Sequence, residues 1–308
     1  MSDEKELRFI DSMSLNGPIG DMLQESIKHS NLEFEWIYGD IRETKYPLTK
    51  ERFLHLKNIL TESTRYTYEG ETTDLDIRTE LKHRGKSTMS NIRATISGLS
   101  QIKQYCLQDN FDDLDPVFMK KVKYKNPKHP STDYSSASSG LYPMRATLKN
   151  EIHLPYYASP SDIGIVTNEV STKPELVSFL KNWNLKHKYF RYKKRYSFIS
   201  LNKIWRIDLT AVKSSISKKK GYMSEYVYSK TFKESKILNH PEKFELEIEY
   251  IGNHSTGFSP PPIVSVSEDL NVNVFQAFPD EGNVYIPDTS LELAIDVPND
   301  ISDEYVPL

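Results

Sequence analysis

The sequence predicts a mainly β protein of the α+β class, in which eight antiparallel strands close into a barrel and a few helices cover its outside. Three observations predict this fold. Strand-like segments outnumber helical ones, about eight to three. At least four of the strands alternate charged and apolar residues, so that each has a charged face and an apolar face. Closing such strands into a barrel would gather the charged faces in one hydrophilic lumen.

Helical and strand patterns follow one another along the first half of the chain. Apolar residues at helical spacing predict helices over 19–29 and 48–63. The alternation in NLEFEWIY predicts a strand over 31–38. Residues 99–108 fit either a short helix or a strand. Further strands are expected at 73–79, 88–97 and 141–154, and a Ser-rich loop at 128–140.

The second half begins with a helix predicted from Pro174 to about residue 188, because proline is favoured in the first helical turn. Strands follow at 189–200, 203–213 and 244–251, with a basic loop at 215–224. FSPPP at 258–262 then breaks the chain. We therefore expect one barrel domain over 1–258, and an acidic, Pro-containing tail or small appendage over 259–308.

The charge of the chain is unevenly distributed. The 308 residues include 40 Lys and Arg against 43 Asp and Glu, but after Lys243 there are 13 acidic residues and no Lys or Arg. Residues 1–243 therefore carry 40 basic and 30 acidic residues. A basic body favours an anionic ligand such as nucleic acid or polyphosphate, although a solvated basic surface gives the same count.

Composition excludes several classes of protein. The one cysteine, Cys106, excludes a disulfide framework and a Cys-based zinc site, and is typical of a reducing, intracellular location. No apolar run approaches the ~18 residues of a membrane span. The charged start MSDEKELRF is unlike a signal peptide.

Two segments carry rows of carboxylates. One is Glu33-Phe34-Glu35 and the other is FELEIE, with Glu245, Glu247 and Glu249. Residues two apart in a strand share a face, so each segment projects glutamates on one side. Rows brought together would repel and need a cation, and oxygen-only ligands suit Mg²⁺ or Mn²⁺. The alternative for either row is an exposed strand edge whose charges prevent aggregation.

Other strands carry rows of cations. Each has basic residues at alternate positions, and each taken alone could be a solvent-facing polar strand. Together with the acidic rows they predict a lumen in which carboxylates hold a metal and cations hold phosphates, as phosphoryl chemistry requires. The rows are Arg191/Lys193/Arg195, Arg206/Asp208/Thr210 and Arg145/Thr147/Lys149/Glu151, with Arg93 as a further candidate.

These motifs, in this order, resemble the metal-dependent RNA 5′-triphosphatases of mRNA capping, within the triphosphate tunnel metalloenzymes. The resemblance runs from about Asn31 to Ile251, includes NIRATISG and RATLKNE, and is closest to the N-terminal domain of capping enzymes from large cytoplasmic DNA viruses. It implies an eight-stranded tunnel that removes the γ-phosphate from triphosphate-ended RNA. It also implies Mg²⁺ or Mn²⁺ as cofactor, a cytoplasmic location and no membrane.

The resemblance also implies residue roles. Glu33, Glu35 and Glu249 would ligate the metal, and Glu247 would ligate it or hold its water. Glu151 would orient or deprotonate the attacking water, and Asp208 would brace neighbouring cations. The expected phosphate contacts are Arg93, Arg145, Lys149, Arg191, Lys193, Arg195 and Arg206, with Arg195 also catalytic and Lys121 or Lys123 a looser candidate.

Departures from the family leave other readings open. The Lys-x-Asp-Gly nucleophile motif of capping guanylyltransferases and a methyltransferase-like glycine loop do not occur. The chain would then be a stand-alone triphosphatase or a piece of a longer capping enzyme, with guanylyltransferase or methyltransferase partners. Ile37 argues against the thiamine-triphosphatase and adenylate-cyclase branch, which carries E-x-E-x-K.

Three other functions remain as alternatives: a hydrolase of free nucleotides or polyphosphate, a non-catalytic module that binds triphosphate RNA ends, and a general RNA-binding barrel. The non-catalytic module predicts damaged carboxylate rows, whereas both rows are intact. The general RNA-binding barrel is disfavoured because Tyr192 and Tyr196 fall on the face opposite Arg191 and Arg195.

Overall fold

The computed structural model describes residues 18–38, 48–124, 133–136, 144–156, 174–215, 217–220, 223–252, 262–266 and 272–276. Within these ranges, eight antiparallel strands close into a barrel, accompanied by five short helices. The predicted mainly β class and the closed barrel are therefore confirmed.

The barrel strands are not arranged in sequence order. Around the barrel the order is β1-β12-β9-β8-β2-β4-β5-β7, and β7 pairs with β1 to close the ring. These strands are β1 (Leu32–Tyr38), β2 (Tyr66–His83), β4 (Ile92–Ser97), β5 (Val117–Lys123), β7 (Met144–Leu154), β8 (Lys188–Ser200), β9 (Trp205–Ser214) and β12 (Lys243–Tyr250).

Six shorter strands extend or accompany the barrel. β3 (Lys86–Met89) pairs with β2, and β6 (Asp133–Ser136) pairs with β7 beyond the end of β5. The others form two hairpins, β10 (Ser217–Lys220) with β11 (Met223–Tyr226), and β13 (Pro262–Val266) with β14 (Val272–Gln276).

Helices cover apolar outer faces of the strands. α1 (Pro18–Lys28) and α2 (Lys50–Glu62) pack on one side, in a cluster that includes Phe34 and Trp205. α3 (Leu99–Gln108) and α4 (Pro174–Leu180) pack on another, in a cluster that includes Phe190; α5 (Phe232–Ser235) adds Phe232 to it. Fully burying one such side chain contributes about 1.5–3 kcal/mol, so the driving force for folding lies outside the lumen.

Local signals explain where two elements begin or bend. Thr49 caps α2, since its hydroxyl oxygen accepts a hydrogen bond from the amide of Arg52 at 3.3 Å. The 18-residue strand β2 shifts register between Tyr68 and Gly70. Gly70 has φ +133°, a conformation that side chains disfavour, so this bulge gives β2 the bend that a small barrel needs.

The helix predicted over 174–188 is too long. It ends at Leu180, because Asn182 adopts a left-handed conformation with φ 56° and starts a 3-10 turn over Trp183–Leu185. Leu176, Phe179 and Trp183 are nevertheless all buried, and their helical spacing is what suggested a continuous helix.

Other elements also differ from the prediction. The basic loop at 215–224 contains most of the β10–β11 hairpin, the Ser-rich loop contains β6, and the strand expected over 88–97 is divided between β3 and β4. The β13–β14 hairpin lies within the region where a tail or small appendage was expected. The short polar strands β3, β6, β10 and β11 form through pairing with a partner, which their own sequences do not signal.

The domain boundary near residue 258 stays a prediction, and residues 277–308 of the expected acidic end lie outside the described part of the chain. No helix within that part is both long and apolar enough to span a membrane.

Candidate active site in the barrel lumen

The alternation of β8 and β12 separates charge from apolar surface. On β8, Phe190 and Phe198 are fully buried against the outer clusters, whereas Arg191, Lys193 and Arg195 occupy the opposite face. On β12, Leu246 and Ile248 likewise pack outward, opposite the three glutamates of FELEIE. Because the barrel is closed, the charged faces all line the lumen.

Strand order brings the two acidic rows side by side. β12 is paired with β1, so Glu35 lies directly opposite Glu249 and Ile37 opposite Glu247. On its other edge β1 pairs with β7, which places Lys149 opposite Glu33 and Arg145 opposite Ile37. The RATLKNE row therefore borders the acidic rows.

Glu35 and Glu33 are each neutralised by a lysine. Glu35 is 5% exposed, accepts a hydrogen bond from the Thr147 hydroxyl at 2.9 Å and forms an ion pair with Lys149. The Lys121 ammonium lies 2.7 Å from Glu33 and 2.5 Å from Glu151. Lys121 thus forms ion pairs both with Glu33 of the acidic row and with Glu151, the residue expected to orient the attacking water.

The pKa of Glu249 is strongly perturbed. Burial raises its pKa to about 7, and the negative charges of Glu33, Asp208 and Glu151 act in the same direction. Its ion pair with Arg206 opposes these effects without cancelling them. Additional positive charge would therefore be favourable at this point of the lumen.

Cations on β8 and β9 are braced by carboxylates. The Arg191 guanidinium donates to both carboxylate oxygens of Glu245, at 2.7 and 2.8 Å. Asp208 is 2% exposed and lies 3.4 Å from Arg195 and 3.2 Å from Arg206. These contacts agree with the bracing role expected of Asp208, which stays a prediction.

Glu247 contrasts with the braced carboxylates. It makes no hydrogen bond or ion pair with the described residues. Its charge still acts on Arg191: burial alone would lower the pKa of that guanidinium, but Glu245, Asp76 and Glu247 outweigh burial and raise it. The charge of Glu247 also raises the pKa of Arg195. Glu247 thus acts electrostatically on two arginines, while its carboxylate oxygens accept no hydrogen bond from the described residues.

Sequence reasoning missed two aspartates of the lumen, Asp74 and Asp76 on β2. Asp76 is 3% exposed and lies 2.9 Å from the Lys193 ammonium, while Asp74 lies 3.8 Å from it. Thr95 and Ser97 of β4 donate hydrogen bonds to Asp76 and Asp74 respectively. The signal was the alternation in TDLDIR, which matches that of the rows that were recognised.

Asp76 stays ionised. Burial would raise the pKa of Asp76, but Lys193, Arg93 and Arg191 together hold that pKa well below its usual range. Arg93 also approaches the Asp76 carboxylate, at 3.8 Å. Asp76 is therefore a fixed anion among three of the expected phosphate-binding residues.

Every expected site residue thus lies on a strand face that lines the lumen, while the roles assigned to these residues stay predictions. Tyr192 and Tyr196 are 5% and 3% exposed, and pack outside the barrel as expected. Cys106 is not part of the lumen: burial, with a smaller effect of Asp109, raises its thiol pKa to about 12.

The donor atoms suit a hard divalent cation, but their present arrangement does not form a ligand set. Glu33, Glu35 and Glu249 offer only carboxylate oxygens, which Mg²⁺ and Mn²⁺ prefer. In the described part of the chain, however, no three acidic, His or Cys side chains converge as metal ligands do. Lys121, Lys149 and Arg206 occupy these carboxylates instead.

No protein-family model matches the chain, and no curated protein is found to match it. Among solved structures, the S. pombe RNA triphosphatase Pct1 in complex with the Spt5 CTD is similar, with 12% identity over 78% of this chain and 80% of that chain and a TM-score of 0.39. A second structure of Pct1 has 11% identity over 81% and 79%, with a TM-score of 0.35. Similarity this distant leaves function to be argued from the residues of the lumen.

Proposed function

We propose that this chain is a metal-dependent RNA 5′-triphosphatase of mRNA capping, which hydrolyses the γ-phosphate of a triphosphate-ended RNA to leave a diphosphate end. The observation that carries the proposal is the convergence, in one closed lumen, of two carboxylate rows and a cationic ladder formed by Arg191, Lys193, Arg195 and Arg206. A polyphosphate needs cations along its oxygens, and the carboxylates suit a divalent metal and a water molecule.

The cationic ladder binds the triphosphate in this proposal. Arg191, Lys193 and Arg195 share one face of β8, and Arg206 on the adjacent strand β9 contacts Asp208 together with Arg195. Their carboxylate partners fix them in place before the substrate arrives, so they can neutralise phosphate oxygens without reorganising. Arg93, Arg145 and Lys149 would extend these contacts around the lumen.

The acidic rows face the reacting phosphorus. Mg²⁺ or Mn²⁺ held by Glu33, Glu35 and Glu249, with Glu247, would supply positive charge to the γ-phosphate. Glu151 accepts a hydrogen bond from the attacking water and orients it; burial raises the pKa of Glu151, but Lys121 outweighs burial and keeps it ionised. As the water oxygen bonds to the γ-phosphorus, the bond to the β–γ bridging oxygen breaks and the diphosphate end leaves.

The direct test is phosphate release from triphosphate-ended RNA with Mg²⁺ or Mn²⁺ and again with a chelator. We expect release only with metal, and none from Glu249→Gln. The matched control is Glu71→Gln, because Glu71 pairs with Lys194 on the outer face, 3.0 Å away. Metal-independent release, or full activity of Glu249→Gln, would contradict the proposal.

A hydrolase of free nucleotides or polyphosphate is the second candidate, because the same lumen would serve it. Relative rates on triphosphate-ended RNA, ATP and inorganic tripolyphosphate separate the two. A binding module without catalysis is less well supported, since Glu247 is intact and unengaged beside Arg191 and Arg195. The proposal also includes guanylyltransferase or methyltransferase partners, and a likeness to the capping enzymes of large cytoplasmic DNA viruses.

A further inference from the structure

One mouth of the barrel carries a group of three tyrosines, Tyr189, Tyr226 and Tyr228, here called the tyrosine cluster. The Tyr189 and Tyr226 rings lie 5.3 Å apart at 78°, and the Tyr226 and Tyr228 rings lie 6.3 Å apart. Backbone hydrogen bonds between Ser229 and Lys188 fix this segment beside the first residue of β8. The cluster therefore lies at an end of the barrel, with 42% of Tyr226 exposed.

The cluster is continuous with the cationic ladder. Tyr189 shares the lumen face of β8 with Arg191, two residues further along the strand. Tyr189 differs in this respect from Tyr192 and Tyr196, which lie on the opposite face of β8 and pack outward. An aromatic surface and a phosphate-binding ladder thus follow each other along one face of one strand.

Arg78 connects the two features. It lies opposite Tyr189 in the β2–β8 pair. Burial lowers its pKa, and the positive charges of Arg93 and Arg191 lower it further, against opposing effects of Asp76 and Tyr226. Within the described residues Arg78 has no carboxylate ion pair, and its guanidinium contacts the Met89 sulfur at 3.7 Å. A cation crowded by other cations favours an anionic ligand.

We propose that this mouth binds the first nucleotides of single-stranded RNA: a base stacks on the tyrosine cluster, a backbone phosphate contacts Arg78, and the 5′-triphosphate lies on the cationic ladder. This inference rests on the proposed function and adds a reason for preferring RNA to a free nucleotide, which has no backbone phosphate to contact Arg78. Stacking on aromatic rings tolerates every base, and cations along a groove follow the backbone. Nascent transcripts differ in sequence, so a sequence-tolerant surface suits them.

The test compares two exposed tyrosines. Tyr226→Ala removes the most exposed ring of the cluster, and Tyr226→Phe keeps that ring. Tyr68→Ala is the matched control, because Tyr68 is 44% exposed but packs on Phe198 on the outer face, at 5.2 Å. For each variant, fluorescence anisotropy measures binding of a short 5′-triphosphate oligoribonucleotide, and phosphate release is measured on inorganic tripolyphosphate.

We expect Tyr226→Ala to weaken RNA binding by about 5- to 150-fold, the range of stacking on one ring. Tyr226→Phe and Tyr68→Ala should bind like the wild type, and all variants should hydrolyse tripolyphosphate equally. Equal RNA affinity of Tyr226→Ala and Tyr68→Ala would overturn the inference. An equal loss on RNA and tripolyphosphate would overturn it too, because Tyr226 would then support the phosphate site.

The two proposals fail separately. If the wild type binds RNA through Tyr226 but releases no phosphate from any substrate, the triphosphatase function fails and the RNA-binding mouth stands. If it releases phosphate from RNA and tripolyphosphate alike and Tyr226→Ala changes neither affinity nor rate, the mouth fails and the chemistry stands.

Discussion

Lys193 and Lys194 are neighbours on β8, yet they lie in two different environments. Lys193 faces the lumen, is 4% exposed and is paired with Asp76 and Asp74. Lys194 faces outward, is more exposed and pairs with Glu71 at 3.0 Å. Its charge lies beside the ring of Tyr196, near the surface of an apolar cluster.

The contrast shows that the outer face and the lumen contribute differently to the stability of the barrel. The outer face stabilises the fold mainly by burying apolar side chains, with Lys188 as a buried charge that pairs with Asp109 at 2.8 Å. The lumen buries charges in compensated sets, which stabilise little relative to apolar residues but are costly to break. Carboxylates and cations are held there in fixed positions, as binding and neutralising a polyphosphate require.

The largest expected effect separates acidic residues inside and outside the barrel. Glu35→Ala should reduce metal-dependent phosphate release by at least about 100-fold, the scale expected when a charged catalytic group is lost. Glu71→Ala, on the outer face, should leave release unchanged. A quantitative phosphate-release assay on both variants checks this, with circular dichroism to confirm folding. If the two variants release phosphate at comparable rates, the lumen carboxylates are no more important for activity than those of the outer face, which contradicts the prediction.

The next effect compares the two lysines directly. Lys193→Met leaves Asp76 buried without its closest cation, and should lower the free energy of unfolding by about 3 kcal/mol. Lys194→Met removes a more exposed pair and should cost less than about 1 kcal/mol. Urea unfolding of both variants measures the difference. Equal costs would mean that Arg93 and Arg191 compensate Asp76 without Lys193.

A smaller effect concerns acid stability. The pKa of Asp76 is lower in the folded state than in the unfolded chain, where it is about 3.9. The contribution of Asp76 to the free energy of unfolding is therefore fully present above about pH 3.9, and is lost as the pH falls from there toward the folded-state pKa. Asp76→Asn removes this titration. We therefore expect the stability gap between wild type and Asp76→Asn to narrow as the pH falls below about 4. Thermal melts from pH 7 to 3 measure the gap, and a constant gap would contradict the prediction.

The smallest effect is expected at the cysteine. With a pKa of about 12 the Cys106 thiol stays protonated at neutral pH, and it packs from α3 against the outer cluster. Cys106→Ala should therefore leave phosphate release unchanged. If Cys106→Ala keeps its fold but loses activity, the outer cluster contributes to phosphate release, and the division of roles between the outer face and the lumen is contradicted.

Local periodicity accounts for what could be predicted. The period-2 pattern of 189–200 and the helical pattern of 48–63 place β8 and α2 within two residues of their observed bounds. The helix expected to reach residue 188 fails because the apolar spacing continues through Asn182, where the backbone turns left-handed. Polar strands such as β6 and β10 depend on their partners and have no signal of their own.

The site was predictable to a similar degree. Alternation identified each charged row, and TDLDIR carried the same signal for Asp74 and Asp76. The alternation does not reveal the partner of each charge. Lys121 joins Glu33 to Glu151 across three strands, which are far apart in sequence and adjacent only in the closed barrel.

The sequence by itself determined which residues share a face, because a strand places alternate side chains on opposite sides whatever its neighbours are. Only the tertiary structure decided which rows meet. Glu35 lies opposite Glu249 because β12 is inserted between β1 and β9, an order that differs from the order along the chain. Strand order and register depend on how the outer apolar faces pack and how the ring closes, which are long-range energies that no short segment encodes.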